Sequence, residues 1–488
     1  MSKTGHPQQD HSAPKAPVPV LAVDLDGTLL KSDMLHETFW NAASKDWSAA
    51  LRAVRQLKSG KAALKRELAA RSNVDVAKLP YNAEVLDYIA AWRKSGGQVA
   101  LVTATDQSLA DQIATHLGVF DAVFGSDGDR NLKGANKAAF LVETYGEAGF
   151  AYAGDHEADL DVWPHAARAV TVNASEALRG KVARLGVEVD HIGAPERDLK
   201  PYVKALRPHQ WLKNILVFIP LLLAHQLDAI SLIRALTAFV AFSLVASSVY
   251  VLNDLLDLNA DRAHARKCKR PFAAGTVPIG QGTAMAGGLL GVGAVLSVAL
   301  GATFLFVMVC YYAMTTAYSL YFKRRAVIDV SVLAGLYTLR IVAGGVAVGV
   351  GLSMWLLAFS VFFFFALAAV KRQAELVDNI KSGKLQPEGR GYRNDDAEVI
   401  SQMALGTGYV SILVLALYMN SPDVALLYSN PPALWGICLI LLFWISRIVL
   451  LTHRGEMHDD PIVFAVRDRI SRLCGMMVVG FAVLGAVM

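Results

Sequence analysis

At 488 residues the chain has room for two or more domains. Its net charge of +5 comes from basic residues gathered in loops, with no basic face interleaved with aromatics, which excludes nucleic acid as an expected partner. A hydrophobic share of 54% and a mean hydropathy of +0.37 exceed the globular norm, and the excess lies beyond about residue 204, which excludes a wholly soluble protein.

Residues 1–17 are rich in Pro, Gln, Ser and His and lack an apolar core, so a disordered tail is expected. They also lack the apolar region of a signal peptide, so the following domain is expected to stay in the cytosol. Val18 to Val23 reads as a buried strand running straight into Asp24, Asp26, Gly27 and Thr28. A carboxylate at the carboxyl end of a parallel strand is where open α/β sheets place their ligands. Gln98 to Val102 is a second strand, ending at Thr103; Lys137 opens a helical run after Gly134; Phe150 to Ala153 is a third strand, followed by Gly154, Asp155 and Asp159. The four cysteines, Cys268, Cys310, Cys438 and Cys474, stand too far apart for a clustered metal or redox motif.

This ordered set, spread over 18–192, resembles the haloacid dehalogenase-like phosphatases. The resemblance implies an α/β domain with a Rossmann-type parallel sheet and a helical cap at about 33–90. It implies that Asp24 attacks phosphorus and Asp26 is the general acid and base. Thr103 and Lys137 would hold the phosphoryl oxygens, Asp24, Asp26 and Asp155 would bind Mg²⁺, and Asp159 would support the site. The alternative is a domain that keeps the fold without the chemistry.

A polar, proline-containing stretch, 193–206, reads as a linker. Arg207, Trp211, Lys213 and Asn214 follow as an interfacial cluster at the start of a membrane domain, 207–488. Nine apolar segments are expected, near 212–225, 231–252, 281–299, 302–321, 328–350, 353–370, 400–420, 432–451 and 470–487. Loops after the even-numbered segments are rich in Lys and Arg and the odd ones nearly lack them, which puts the amino terminus and the soluble domain on the cytosolic side of the inner (cytoplasmic) membrane. Arg340 falls inside the fifth segment and is expected to face the bundle interior, binding an anion or forming a structural ion pair. Arg447, nearer a segment end, can snorkel to the interface.

At the end of the second segment stand Asn253, Asp254, Asp257 and Asp261. The three aspartates lie at i, i+3 and i+7 and share one face of a helix. Like charges so placed call for a cation, and oxygen-rich clusters suit Mg²⁺ with the phosphates of a substrate. Lys267, Lys269 and Arg270 follow and can hold an anion beside the metal; a solvated charged helix end is the bland alternative. Tyr318, Lys323 and Asp329 form a second candidate cluster at the start of the fifth segment.

With both clusters, the membrane half resembles the UbiA superfamily of intramembrane prenyltransferases. Members that transfer a prenyl group usually carry a second aspartate motif, DxxxD; here Asp329 is followed four residues later by Leu333. The wording of 207–214, 253–275 and 318–345, with Asp459, Asp460, Pro461, Asp468 and Arg469, looks instead like the branch named for decaprenyl-phosphate phosphoribosyltransferase. That branch implies phosphoribosyl diphosphate as donor and polyprenyl phosphate as acceptor, in contact with membrane lipid. Asp254, Asp257 and Asp261 with Mg²⁺, helped by Lys213, Lys323 or Arg340, would then hold the leaving diphosphate. The N-terminal domain would remove the 5-phosphate of the lipid-linked product. An aromatic prenyltransferase fed by a prenyl diphosphate, and a non-catalytic membrane scaffold or lipid carrier, are the other readings.

Overall fold

The computed structural model describes residues 20–55, 61–127, 131–194, 198–383, 391–422, 424, 428–457 and 460–487. The expected disordered tail, the strand's first two residues and Asp459 lie outside them. The chain forms two compact units, one of Met1–Ala205 with Asp254–Ala284, the other of Leu206–Asn253 with Met285–Met488.

In the first unit six strands form one parallel sheet: β1 (Val20–Val23), β2 (Val99–Asp106), β3 (Ala122–Ser126), β4 (Phe150–Gly154), β5 (Arg168–Val172) and β6 (Glu188–Ile192). Their order is β3-β2-β1-β4-β5-β6. β1 and β4 are fully apolar and buried on both faces, as central strands of a helix-covered parallel sheet must be. One face is packed by Leu21, Val23, Ile89, Leu101 and Ile113 and the other by Ala22, Val102, Leu141, Tyr152 and Trp163. The order in which strands are added reverses at β1, since β2 lies on one side and β4 on the other; the carboxyl ends of these parallel strands therefore form the crevice of the sheet.

The insert after β1 is helical, with Met34–Lys45, Trp47–Arg55 and Lys61–Arg71. Asp33 caps the first of these by accepting hydrogen bonds from Leu35 N and His36 N. The helix Ala83–Lys94, which overlaps the end of the expected cap, buries Val85 and Ile89 against the sheet instead. Asp254–Ala284, read from the sequence as part of the membrane domain, packs within this first unit.

Eight helices among the described residues are long and apolar enough to cross a membrane: Ala229–Leu256, Ile279–Ala299, Ala302–Leu320, Ile328–Val348, Met354–Lys381, Asn394–Met419, Pro431–Arg454 and Arg469–Ala486. They match expected segments two to nine. The first segment is a 3₁₀ stretch, Pro208–Phe218, and a short helix, Ile219–Leu223. Pro208 and Pro220 sit at the starts of these pieces, where a missing N–H is tolerated, and together they keep the segment from forming one long α-helix. This segment presses on Ile328–Val348, where a Cβ at Gly344 would fall 2.0 Å from the Val217 carbonyl oxygen.

Ile328–Val348 is the most enclosed of the long helices in the second unit. Asp329, at its start, is fully buried and ion-paired with the equally buried Arg372 at 2.6 Å, while Tyr392 donates its hydroxyl to the other carboxylate oxygen at 2.5 Å. Removing one charge of such a pair strands the other, so Arg372→Met is expected to destabilise the membrane unit by about 3–5 kcal/mol. The check is the thermal midpoint in detergent beside that of Arg372→Met/Asp329→Leu, which leaves only the partly exposed Glu375 without its Arg372 partner and should recover most of the loss.

Candidate functional site

Two groups of reactive side chains occupy the first unit. Asp24 follows β1 and donates its backbone N–H to Ala153 O, which fixes it beside β4. Its Oδ1 lies 2.9 Å from Lys137 Nζ, a lysine 3% exposed. Lys137 also donates to the Tyr152 hydroxyl at 2.8 Å, which in turn donates to Asp159 Oδ1 at 2.8 Å. Asp159 Oδ2 accepts the N–H groups of Asp155 and His156, so it shapes the loop that presents Asp155.

Asp24, Asp155 and Asp159 bring ligand oxygens within 4.8 Å of one another. Burial, and then the charges of Asp24 and Asp159, push the Asp155 carboxyl up to about 8. Three convergent hard oxygen donors, with Asp155 pushed toward its protonated form for want of a counter-charge, fit a divalent ion. Thr28 donates its hydroxyl to Asp155 Oδ1 at 3.1 Å. Gly27 is obligatory: its φ is +78°, and a Cβ would fall 2.2 Å from Asp155 Oδ2.

Asp26, expected among the metal ligands, turns its carboxylate elsewhere. Met34 N donates to its Oδ1 at 2.8 Å and Thr105 Oγ1 to its Oδ2 at 3.1 Å, contacts that hold it away from the Asp24, Asp155 and Asp159 group. Burial, reinforced by Asp33, pushes its carboxyl up to about 7, so protonated and ionised forms are both populated near neutral pH. That suits a general acid. Thr103 is buried within β2, its Oγ1 accepting from Thr105 N.

Three partners escaped the sequence reading. Thr105 and Tyr152 lie inside strands whose motifs end elsewhere, and only the alternation of strand faces points to them. Lys65, on the third insert helix, donates to Ala104 O at 2.7 Å and carries its charge toward Asp26. One of two lysines in a helix rich in Ala and basic residues gives no local signal.

The second group is the aspartate cluster. The helix of Asp254 ends at Leu256, and a new one, Leu258–Ala263, starts with Asp257 at its cap and Asp261 N bonded to Asp257 O. The expected single helical face is therefore broken, because Asp257 takes the non-helical backbone that aspartate favours at caps. The break lets Asp254 and Asp261, each 2% exposed, meet at one guanidinium nitrogen: Arg270 Nη1 lies 3.1 Å from Asp254 Oδ1 and 2.6 Å from Asp261 Oδ2. Burial raises the Asp261 carboxyl, Asp257 adds to this, and Arg270 opposes it. Two convergent carboxylates are a donor set that suits Mg²⁺, and the Arg270 guanidinium stands between them in this structure. Lys269 is exposed in the following 3₁₀ turn.

In the second unit, Lys213 Nζ and Lys371 Nζ share Asp460 Oδ2 at 2.8 and 3.0 Å. Both lysines hold that carboxyl well below the usual carboxylate range against the opposing effect of burial. These three line a cavity with Leu333, Tyr337, Leu367, Ala368, Pro461 and Ile462. Lys371, unmarked by the sequence reading, ends the apolar run of its helix. Arg340 is buried and, among the described residues, pairs with no carboxylate. Asn214 Oδ1, Leu336 O and the Tyr311 hydroxyl accept its N–H groups, and the rings of Tyr311, Tyr337 and Phe242 face its guanidinium. Arg447 forms a two-pronged pair with Asp468, just before the last long helix, at 2.7 and 3.2 Å. Asn253 donates to Ser319 Oγ at 3.0 Å. Tyr318 packs partly buried beside Tyr311, and Lys323 lies in the 3₁₀ turn after that helix.

Residues 214–465 match the model of the UbiA prenyltransferase family, and residues 21–163 that of the haloacid dehalogenase-like hydrolases. A Sinorhizobium fredii protein, y4nM, described as uncharacterized, is 41% identical over 94% of this chain and 89% of its own. The nodulation protein NoeC of Azorhizobium caulinodans is 34% identical over 56% of this chain and 89% of its own. The decaprenyl-phosphate phosphoribosyltransferase of Mycolicibacterium smegmatis is 31% identical over 58% of this chain and 91% of its own. Both shorter relatives are covered almost whole by little more than half of this chain. A parallel sheet with its aspartate crevice and eight membrane-length helices thus have separate kin, and the chain is a multi-pass membrane protein that belongs to the UbiA prenyltransferase family, with a haloacid dehalogenase-like domain at its amino-terminal end.

Proposed function

We propose that this chain transfers 5-phosphoribose from phosphoribosyl diphosphate to a polyprenyl phosphate at the cytosolic membrane face, and that its N-terminal domain then removes the 5-phosphate. The observation that carries the choice of acceptor is the charge of the second unit's cavity. Lys213 and Lys371 face one carboxylate, Asp460, and so leave a net positive charge beside apolar side chains. A neutral aromatic acceptor gains little from two ammonium groups. A lipid that carries its own phosphate gains a charge-assisted contact, with its chain against Leu333, Leu367 and Ile462. The capture of Asp329 by Arg372 and Tyr392 supports the same reading, because it withdraws the carboxylate around which a second acidic centre would form. The relative from Mycolicibacterium smegmatis, by its name, points the same way.

In the transfer, an oxygen of the lipid phosphate bonds to ribose C1 as the bond from C1 to the diphosphate oxygen breaks, and diphosphate leaves. Positive charge builds on the ribose as in glycosyl transfer. The lipid phosphate is already ionised near neutral pH, so no general base is needed. Mg²⁺ held by Asp254 and Asp261, with Asp257 beside them, would neutralise charge on the leaving diphosphate. Arg270 and Lys269 would hold diphosphate oxygens.

In the N-terminal domain Asp24 attacks phosphorus and Asp26 protonates the departing sugar oxygen, then takes a proton from the water that releases phosphate. Lys137 and Thr103 hold phosphoryl oxygens, while Asp24, Asp155 and Asp159 would bind the Mg²⁺ that balances their charge.

The test is mass spectrometry of the lipid formed by the full chain with phosphoribosyl diphosphate, polyprenyl phosphate and Mg²⁺. A lipid heavier by an unphosphorylated ribose is expected. Indifference to phosphoribosyl diphosphate with consumption of a prenyl diphosphate would establish the aromatic prenyltransferase instead.

A further inference from the structure

The first helix of the insert touches both groups of reactive residues in the first unit. Its first residue, Met34, donates its N–H to Asp26 Oδ1 at 2.8 Å. One turn on, Glu37 accepts two hydrogen bonds from Arg262, at 3.0 and 2.6 Å, with both side chains almost fully buried. Arg262 directly follows Asp261 on the short helix Leu258–Ala263, and its Nε donates to Ala273 O. A further turn along, Trp40 Nε1 donates to Thr283 Oγ1 at 3.0 Å. Glycines keep this contact close: a Cβ at Gly275 would fall 2.9 Å from Lys31 Cβ, and one at Gly280 would fall 3.1 Å from the His36 ring.

A buried two-pronged pair fixes direction as well as distance. The start of the insert helix, and with it the N–H that orients Asp26, is therefore set by the helix that carries Asp261. Asp261 in turn shares Arg270 with Asp254, so a ligand that draws Arg270 or Asp261 pulls at the root of Arg262.

We propose that Glu37 and Arg262 are positioning residues that tie the phosphatase acid Asp26 to the aspartate cluster, so that diphosphate bound at Asp254 and Asp261 alters phosphatase turnover. This rests on the roles given above to Asp26 and to the cluster. It extends them by making the second activity responsive to the state of the first.

The experiment measures hydrolysis of p-nitrophenyl phosphate by monodisperse full-length protein in detergent. Glu37→Gln and Arg262→Gln should each lower kcat about tenfold with KM nearly unchanged, the cost of a small misplacement of a catalytic group. The double variant should be no worse than either single one, as for two residues acting through one contact. Inorganic diphosphate with Mg²⁺ should shift wild-type kcat by about fivefold, and this response should vanish in the double variant. Competition at the phosphatase centre itself would move only KM in both proteins.

Single variants with unchanged kcat, effects that multiply in the double, or a diphosphate response retained without the pair would each overturn the proposal. Should a single variant not fold, the double, which strands no charge, reads the same quantities. A wild-type chain that hydrolyses no aryl phosphate would instead overturn the phosphatase half of the proposed function, a result separable from all of these.

Discussion

Asp24→Asn is expected to leave the lipid product with its 5-phosphate in place. The reason is local: Asp24 Oδ1 sits against Lys137 Nζ at 2.9 Å and converges with Asp155 and Asp159, so the amide keeps the shape but loses both the proposed nucleophile and one of three convergent carboxylates. Loss of a nucleophile of this kind lowers turnover by about four to six orders of magnitude. Asp26→Asn, which removes a general acid and keeps the nucleophile, should cost less, about two to four orders. The measurement is the ratio of phosphorylated to unphosphorylated ribosyl lipid in a single incubation of full-length protein, with total transfer as the internal reference. Equal ratios in wild type and Asp24→Asn would separate the two domains functionally, and the N-terminal centre would then have another substrate.

The parts legible in sequence were those where chemistry and chain direction coincide. Asp24, Thr103 and Asp155 each close a buried apolar run, so strand and reactive group announce one another. β3, β5 and β6 end in no such residue; β6 is an edge strand with exposed Glu188 and His191, and its alternation is too short to separate from a turn. Contacts between distant residues were not legible. Arg340 read as an anion site or an ion pair because an isolated sequence offers a buried cation no other partner, yet its acceptors are Asn214 and Tyr311, 126 and 29 residues away. Lys371 and Asp460 are likewise 89 residues apart.

Two local rules also competed and the stronger won. Residues 212–225 have the composition of a membrane span, but Pro208 and Pro220 divide them into shorter pieces. Helical spacing put the three aspartates on one face, but Asp257 at a cap breaks the helix and swings Asp261 round toward Asp254. The motif survived the error in its geometry because the break brings its outer carboxylates together.

That convergence sets the other large effect. Asp254→Asn is expected to reduce transfer to the lipid by about three orders of magnitude, the scale of losing a group that stabilises charge on a leaving diphosphate. Asp254 and Asp261 meet at a single Arg270 nitrogen, so removing one charge weakens the grip on any cation in that position and leaves Arg270 bound to Asp261 alone. Burial makes the loss larger than at a solvated helix end, because water cannot replace the missing carboxylate. Two readouts separate a site effect from misfolding. The Mg²⁺ concentration giving half-maximal transfer should rise in Asp254→Asn, and the thermal midpoint in detergent should stay near the wild-type value. Transfer within about tenfold of wild type, with no change in Mg²⁺ demand, would assign the cluster to a solvated helix end and move the search for the diphosphate site elsewhere.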